Sequence, residues 1–578
     1  FFAADKDKAR EAERVRRRDL VVNWLESREA PPAELLAMQA ALQERVPAFH
    51  WWVEFPEVFY GERADPLDGD RVNRVAWMDA FVGNPPFMGR NGVIEANGSA
   101  YLEWLLDAND KSHGNADISA YFFRRSFVLL GLNGTLGLVS TNTIAQGDTR
   151  DTGLSWILRE GGHIYDAVRS MSWAGDASVT VSIVNIERGS VCSDHTARLD
   201  GVRVAAINSM LRSGTERANP TALNANHRGF FFGITTHGSG FVIDLAQRNA
   251  LIDADARNAS RIFPYIGGEE INSSAECRFS RYVISLTGLS LDEARRDFPQ
   301  LLSLVEERVK PEREKLRPDS SAGRWRREHW WLFAGDAAGL YEAVGLSDRF
   351  LVTSQVSKHW CPSFQPSDRL VSKEVCAFPV ATYAFFATMQ SLVHETWARL
   401  HASSMRMDMR YSGSECFETF PFPQADPRTV IPALEDVGAR LYTARAAYMV
   451  DTQQGLTQTY NQLKDPRCQE GRVVALRRLH EEMDRAVLAA YGWDNLVVPP
   501  YGTPGTDAER AAVARFEDEV IDRLFALNAQ RAAEEKAASA AAGAAAGGKA
   551  KGAKRGKKAG AAGGTGGDGS GQGELGIG

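Results

Sequence analysis

The first 60 residues of this chain contain no glycine, although the full 578 residues contain 51. A turn that closes tightly on phosphate or on a nucleotide cofactor needs glycine, so that stretch holds none. Cysteine is also sparse: six residues (192, 277, 361, 376, 416 and 468), scattered and without a CxxC pair. Their spacing argues against zinc and a disulfide framework, and for a reducing, cytoplasmic setting. No apolar run reaches the length of about 18 residues that a membrane span needs. The start, FFAADKDKAREAERVRRRD, has neither a signal-peptide layout nor an initiator Met, and reads as cut from something longer. A Pro-Asp…Glu-x-Lys nuclease cluster is missing, as is any internal repeat.

What is present is the composition of a folded protein: 44% hydrophobic, 24% charged, 13 Trp. The length suggests about three to four domains. Net charge is −7, so any nucleic-acid contact must come from local rather than total charge. From Ala537 the sequence is Ala/Gly/Lys low complexity and is expected to be disordered. Its Lys549, Lys551, Lys554, Arg555, Lys557 and Lys558 either hold phosphates loosely or only solubilise.

Helical spacing marks two helices in residues 1–48, followed by the aromatic stretch FHWWVEFPEVF (49–59). MDAFVGN (78–84) reads as a short buried strand, ADISAYFFRRSFVLL (116–130) as a helix, and GTLGLVSTNT (134–143) as a second strand. HIYDAVRSM (163–171) and ASVTVSIVNIE (177–187) add two more. Alternation of strands and helices predicts an α/β layer with a mostly parallel sheet, whose ligands sit beyond the carboxyl ends of strands. From 191 to 425 short strands, Gly, Pro and aromatics mix with Arg; helical spacing returns from 426 to about 490, and VPPYGTPGTD precedes a last helix over 508–536.

The chemistry concentrates in Asn84-Pro85-Pro86-Phe87, directly after the first strand. An exocyclic ring amine is a poor nucleophile because its lone pair is delocalised. Two acceptors aimed at its two N–H bonds draw the nitrogen toward tetrahedral geometry and free that pair. The Asn84 side-chain oxygen and the Pro85 carbonyl are suited to this, and the prolines restrict the backbone that aims them. Phe87 would stack on the base, a contact worth roughly 1–3 kcal/mol. A base in a duplex must be flipped out to reach such a pocket. The bland alternative is a turn after a buried strand, with Asn as a cap and Phe in the core.

DAFVGNPPFMG resembles the catalytic motif of amino-methyltransferases that make N6-methyladenine in DNA. More narrowly, the chain resembles the large type II restriction–modification methylases of the MmeI-like group and the related methylases of phage-defence islands. The likeness runs through ISAYFFRRSFVLLGLNGTLGLVSTNTIAQGDTR, SWAGDASVTVSIVNIE, RIFPYIGGEEI, MQSLVHETWAR, CFETFPFP and RLHEEMDRAVLAAYGW. It implies a partial Rossmann-like class I methyltransferase sheet, then a mixed α+β target-recognition domain and a helical C-terminal region. The boundaries are 1–190 for the C-terminal half of the catalytic domain, 191–425 for recognition, 426–536 for the helices and 537–578 for the tail. It also implies S-adenosylmethionine as cofactor, double-stranded DNA as partner, Asn84, Pro85, Pro86 and Phe87 as catalytic residues, and a base pocket with Trp173, Thr141 and Asn142. Asn rather than Ser at the first catalytic position favours adenine over cytosine N4.

The cofactor turn and ribose acid that such an enzyme carries ahead of Asn84 are absent from residues 1–83. The preferred reading places them upstream of Phe1 or on a separate subunit; HGSGF (237–241) is the one substitute, in a permuted order. Two rivals stay open: a DNA-recognition subunit that needs a partner for the cofactor, and a methyltransferase for RNA or a protein glutamine amide. HETWARLH (394–401) and HEEMD (480–484) lack the histidine spacing of a zinc helix and read as packing residues. Arg324, Arg326, Arg327, Lys358 and Arg406 either reach phosphates and guanine edges or are ordinary solvated charge.

Overall fold

The computed structural model describes residues 6–45, 49–59, 63–64, 72–73, 77–173, 180–189, 197–316, 320–345, 347–405 and 408–552. Gly61, Cys192, Arg406 and the end of the Lys-rich tail lie outside the described residues. Helices α1 (Asp7–Ser27) and α2 (Ala33–Arg45) come first, then the short turns α3 (Trp51–Glu54) and α4 (Pro56–Phe59). A small ladder of β1 (Arg63–Ala64) and β2 (Val72–Asn73) precedes β3 (Met78–Gly83). After it come α5 (Arg90–Asn97), α6 (Ser99–Ala108), α7 (Ile118–Leu129) and β4 (Leu130–Thr141). The catalytic half closes with α8 (Gly147–Thr152), α9 (Leu154–Arg159), β5 (Gly162–Ser172), β6 (Thr180–Arg188), β7 (Ala197–Leu199) and β8 (Val202–Val204).

Six of these strands form one sheet in the order β3-β4-β6-β5-β7-β8. β3 and β4 are parallel, but β6 runs antiparallel to both β4 and β5, which corrects the expectation of a mostly parallel sheet. The reason lies in the connections. A parallel neighbour needs a long crossover, usually a helix, whereas β6 comes after β5 by a short return. β7 and β8 extend the sheet to Val204, so the domain boundary expected at 190 moves beyond that residue.

One face of the sheet is well covered. The Asp117 carboxylate caps α7 by accepting from the Ser119 amide at 2.9 Å. Ala120, Phe123 and Phe127 of α7 then pack with Leu136, Leu138, Val184 and Ile186 of the sheet. On the opposite face Gly137, Val139, Ile183 and Asn185 are only half-buried, and Val82 of β3 is 91% exposed.

The remaining chain folds around small antiparallel sheets. One aligns Ser363–Pro366, Arg349–Ser354, Val375–Phe378 and Phe231–Phe232; another joins Val242–Ile243, Arg281–Ile284, Ile262–Ile266 and Leu370–Val371. The helices expected to stand apart from 426 onward do not have a core of their own. Leu441, Val487 and Leu524 pack in one cluster with Phe385, Phe386 and Trp397 of the preceding region. The last helix, Asp507–Gly552, runs through Ala537 and beyond, which corrects the expected disorder for 537–552; alanine is the strongest helix former. Its Asn528 side chain donates to the carbonyls of Thr221 and Thr419 at 2.8 and 2.7 Å, and Asp518 pairs with Arg212 at 2.8 Å. That helix therefore clamps the linker between the two bodies. Cysteines 277, 361, 376, 416 and 468 are free thiols. Among the described residues no helix is long and apolar enough to cross a membrane, and no cluster of His, Cys, Asp and Glu is set to hold a metal.

Candidate active site

Asn84 begins the segment just after β3, where the chain leaves the sheet. Gly83 lies opposite Leu138 of the parallel strand β4, so Thr141 and Asn142 occur at the same carboxyl end. β5 points the same way, because it and β4 both run against β6. Met171 and Thr141 both stand opposite Val181, and Trp173 lies just past Met171 at that end. The fold thus brings all the expected site residues to one end of one sheet. Asn84 is adjacent to Thr141, while β4 and β6 separate it from β5. With strands about 4.8 Å apart, Trp173 sits about 14 Å away at the backbone, a gap of the order of a base plus an indole ring.

Within the motif, Pro85 is buried, Phe87 is half-buried, and Asn84 and Pro86 are exposed. The buried proline anchors a segment whose amide faces solvent. The chain just after Phe87 is pinned. The Met88 carbonyl accepts from the Ile118 amide at 2.9 Å, and Met88 packs against the cluster of Val93, Leu102 and Ile118. The Asp117 and His113 amides donate to the hydroxyls of Thr149 and Thr152, both at 3.0 Å. Arg90 donates to Asn115 at 3.3 Å and Asn115 to Asp148 at 3.1 Å. The loop after Phe87 and α8 are thus tied together on both sides of α7.

Thr141 and Thr143 share a hydroxyl hydrogen bond of 2.6 Å, which holds the turn that carries Asn142. Further along this turn, Gln146 Oε1 is buried without a donor from the described residues. A buried acceptor left without a donor costs about 1–3 kcal/mol, so Gln146 is the residue here that invites a ligand N–H. The sequence reading did not single it out. Its signal was the Gln-Gly shortly after Thr-Asn.

The recognition region faces α8. Burial raises the Glu415 carboxyl, and the carboxylates of Asp148 and Asp151 add to the shift. Asn219 donates to Asp151 at 2.5 Å. Beside this contact a cleft of about 650 Å³ is lined by Phe230, Phe231, Phe232, Gln355, Arg410 and Ser412, among others. Aromatic rings with an arginine at a cleft suit nucleic acid. The basic residues picked from sequence do not gather there. Lys358 donates to Asn461 at 2.7 Å and lines a separate cavity of about 730 Å³ with Glu395, Lys464 and Tyr501. Arg327 donates to the Leu316 carbonyl at 3.2 Å.

The decoys resolve physically. In HGSGF, Gly238 has φ +107°, and a Cβ on Gly240 would come within 2.7 Å of Val309 Cγ2 and 3.1 Å of the Arg308 backbone. Helix packing explains that glycine; the segment is not a cofactor turn between a strand and a helix. His394 is fully buried and shares a 3.2 Å hydrogen bond with the Tyr411 hydroxyl, while the His401 ring stacks 4.3 Å from Trp397. His480 is fully buried and stacks on Tyr501 at 4.1 Å. All three are packing residues.

Residues 55–197 match the family model described as MmeI, DNA-methyltransferase domain, and residues 225–424 match that described as MmeI, target recognition domain. DNA methyltransferase A of Bacillus subtilis (strain 168) is 23% identical over 432 residues, covering 71% of this chain and 45% of that protein. A solved structure of the type IIL restriction–modification enzyme MmeI in complex with DNA is 21% identical, with a TM-score of 0.57, covering 78% of this chain and 57% of that one. This last likeness is one of fold. The chain spans about half the length of these relatives.

Proposed function

From a chain in which an MmeI-type methyltransferase domain is succeeded by an MmeI-type target recognition domain, we propose a site-specific DNA adenine-N6 methyltransferase of a restriction–modification or phage-defence system. The observation that carries this reading is the placement of Asn84-Pro85-Pro86-Phe87 beyond the carboxyl end of β3, beside the turn of Thr141 and Asn142 on its parallel neighbour.

In this reading the Asn84 side-chain oxygen and the Pro85 carbonyl accept from the two N–H bonds of a flipped adenine. Phe87 stacks on its face and Trp173 closes the far side. Catalysis by these residues is positioning and electrostatic: the amine is held with its lone pair aimed away from the ring, and the fixed dipoles need no rearrangement. S-adenosylmethionine would supply the methyl group. The described residues do not by themselves fit that cofactor, since no glycine turn leads into Asn84 and HGSGF is used in packing. No step is therefore routed through it, and this chain's own part is to select and present the acceptor. A cofactor-binding portion, in the same polypeptide or on a separate subunit, is part of the proposal.

The test is transfer of labelled methyl from S-adenosylmethionine to duplex DNA, RNA or protein, with that portion supplied. Label recovered as N6-methyladenine from duplex DNA at one sequence supports the reading. Label in cytosine, RNA or glutamine amides, or none in any pool, overturns it.

A further inference from the structure

β3 carries the candidate catalytic residues, yet among the described residues no strand pairs with its outer edge. The sequence of this strand, MDAFVG, contains neither lysine nor proline, the usual devices that blunt an edge. Val82 is 91% exposed on it. The exposure continues on the neighbouring segment. Phe49 is 57% exposed and Val53 70%. An aromatic cluster joins this surface to the strand: the Phe49 and Trp51 rings are 5.1 Å apart, and Trp51 meets Phe81 at 5.7 Å. A contiguous apolar surface beside an open strand edge marks an interaction site.

We propose that the outer edge of β3, with Val82, Phe49 and Val53, is the docking surface for a βαβ half-domain that carries the S-adenosylmethionine turn. This rests on the methyltransferase reading of the Asn84 site. β4 already occupies one side of Asn84, so only the outer edge can bring another strand end next to it. A strand added in parallel would lie about 4.8 Å from β3 and end at the same carboxyl edge. Ligands of such sheets bind there, just outside the strand ends. A parallel strand also brings a crossover helix, which would cover the face that leaves Val82 bare. The size of the relatives supports this occupant, since more than half of the Bacillus protein has no counterpart in this chain.

The experiment mixes the full chain with the unmatched remainder of the Bacillus subtilis methyltransferase, made as a separate polypeptide and also fused through a flexible linker. Sedimentation and amide exchange are read for the native chain, Val82→Lys and Val53→Glu. Both side chains are exposed, so each variant should melt like the native chain. The expected result is a one-to-one complex with slowed exchange at residues 80–83, weakened at least about tenfold by Val82→Lys. Any of three results overturns the proposal: no complex in either format; a complex that leaves residues 80–83 unprotected and ignores Val82→Lys; or protection of this edge by a second copy of the chain. Failure of the functional reading looks different. The complex would form with the edge protected, yet methylate no adenine.

Discussion

Arg445 is a charge that is 2% exposed, and Val82 is a hydrocarbon that is 91% exposed. The first belongs to the core shared by the recognition region and the C-terminal helices, the second to the sheet that carries Asn84. In the core, even the cation is satisfied: Arg445 donates to Gln390 at 3.0 Å, Tyr460 at 3.1 Å and the Pro362 carbonyl at 2.8 Å. The sheet has one packed face, while its other face and its outer edge are open. A region that satisfies its buried polar groups internally is stable as it stands. One that leaves Val82 in water gains stability by association.

Breaking the closed side should have the largest effect. Arg445→Ala strands three buried acceptors and should cost roughly 3–5 kcal/mol, with loss of the recognition core's cooperative transition by calorimetry. Unchanged melting would mean that core is less interdependent than it looks. At the open side, Asn84→Ala should lower methyl transfer by the complete enzyme about 10²–10³-fold, the cost of losing one preorganised polar group. Because Asn84 is exposed, its melting should not change; a fold loss would make it a structural cap instead.

Acid should separate the two regions next. Burial holds His394 down to about 3 and His480 well below its usual value. Their stabilisation is present above the unfolded value near 6.5 and is lost as pH falls toward 3. At pH 5 each histidine loses about 2 kcal/mol. Asp484, pushed up to about 7 by burial, works the other way and gains stability as pH falls from 7 toward 4. The net fall in the core should be about 2 kcal/mol at pH 5, and Asp484→Asn should steepen it. Among the described residues the catalytic sheet buries no histidine, so its transition should move less between pH 7 and 5. The smallest effect is expected of Trp173→Ala: about tenfold in KM for DNA, with an unchanged fold, if the ring walls the base pocket. Equal KM would place Trp173 outside it.

The strands and helices of the catalytic half were legible because their signals are local. MDAFVGN and GTLGLVSTNT carry the apolar runs of buried strands, and Asp117 announces the helix it caps. The antiparallel course of β6 was not legible, since direction depends on how residues 173–179 return. The recognition residues were the least readable. Arg324, Arg327 and Lys358 have the right chemistry, but tertiary contacts commit Lys358 to Asn461 and Arg327 to a carbonyl, while Arg410 and Phe232 line the cleft.

By itself the sequence determined which residues have acceptor geometry for an amine, because Asn-Pro-Pro-Phe restricts its own backbone whatever surrounds it. Only the tertiary structure decided that Asn84, Thr141 and Trp173 share one end of a sheet, that the helices after 426 have no core of their own, and that β3 is an edge. Strand order and burial are properties of contacts between residues far apart in the chain, and no local pattern contains them.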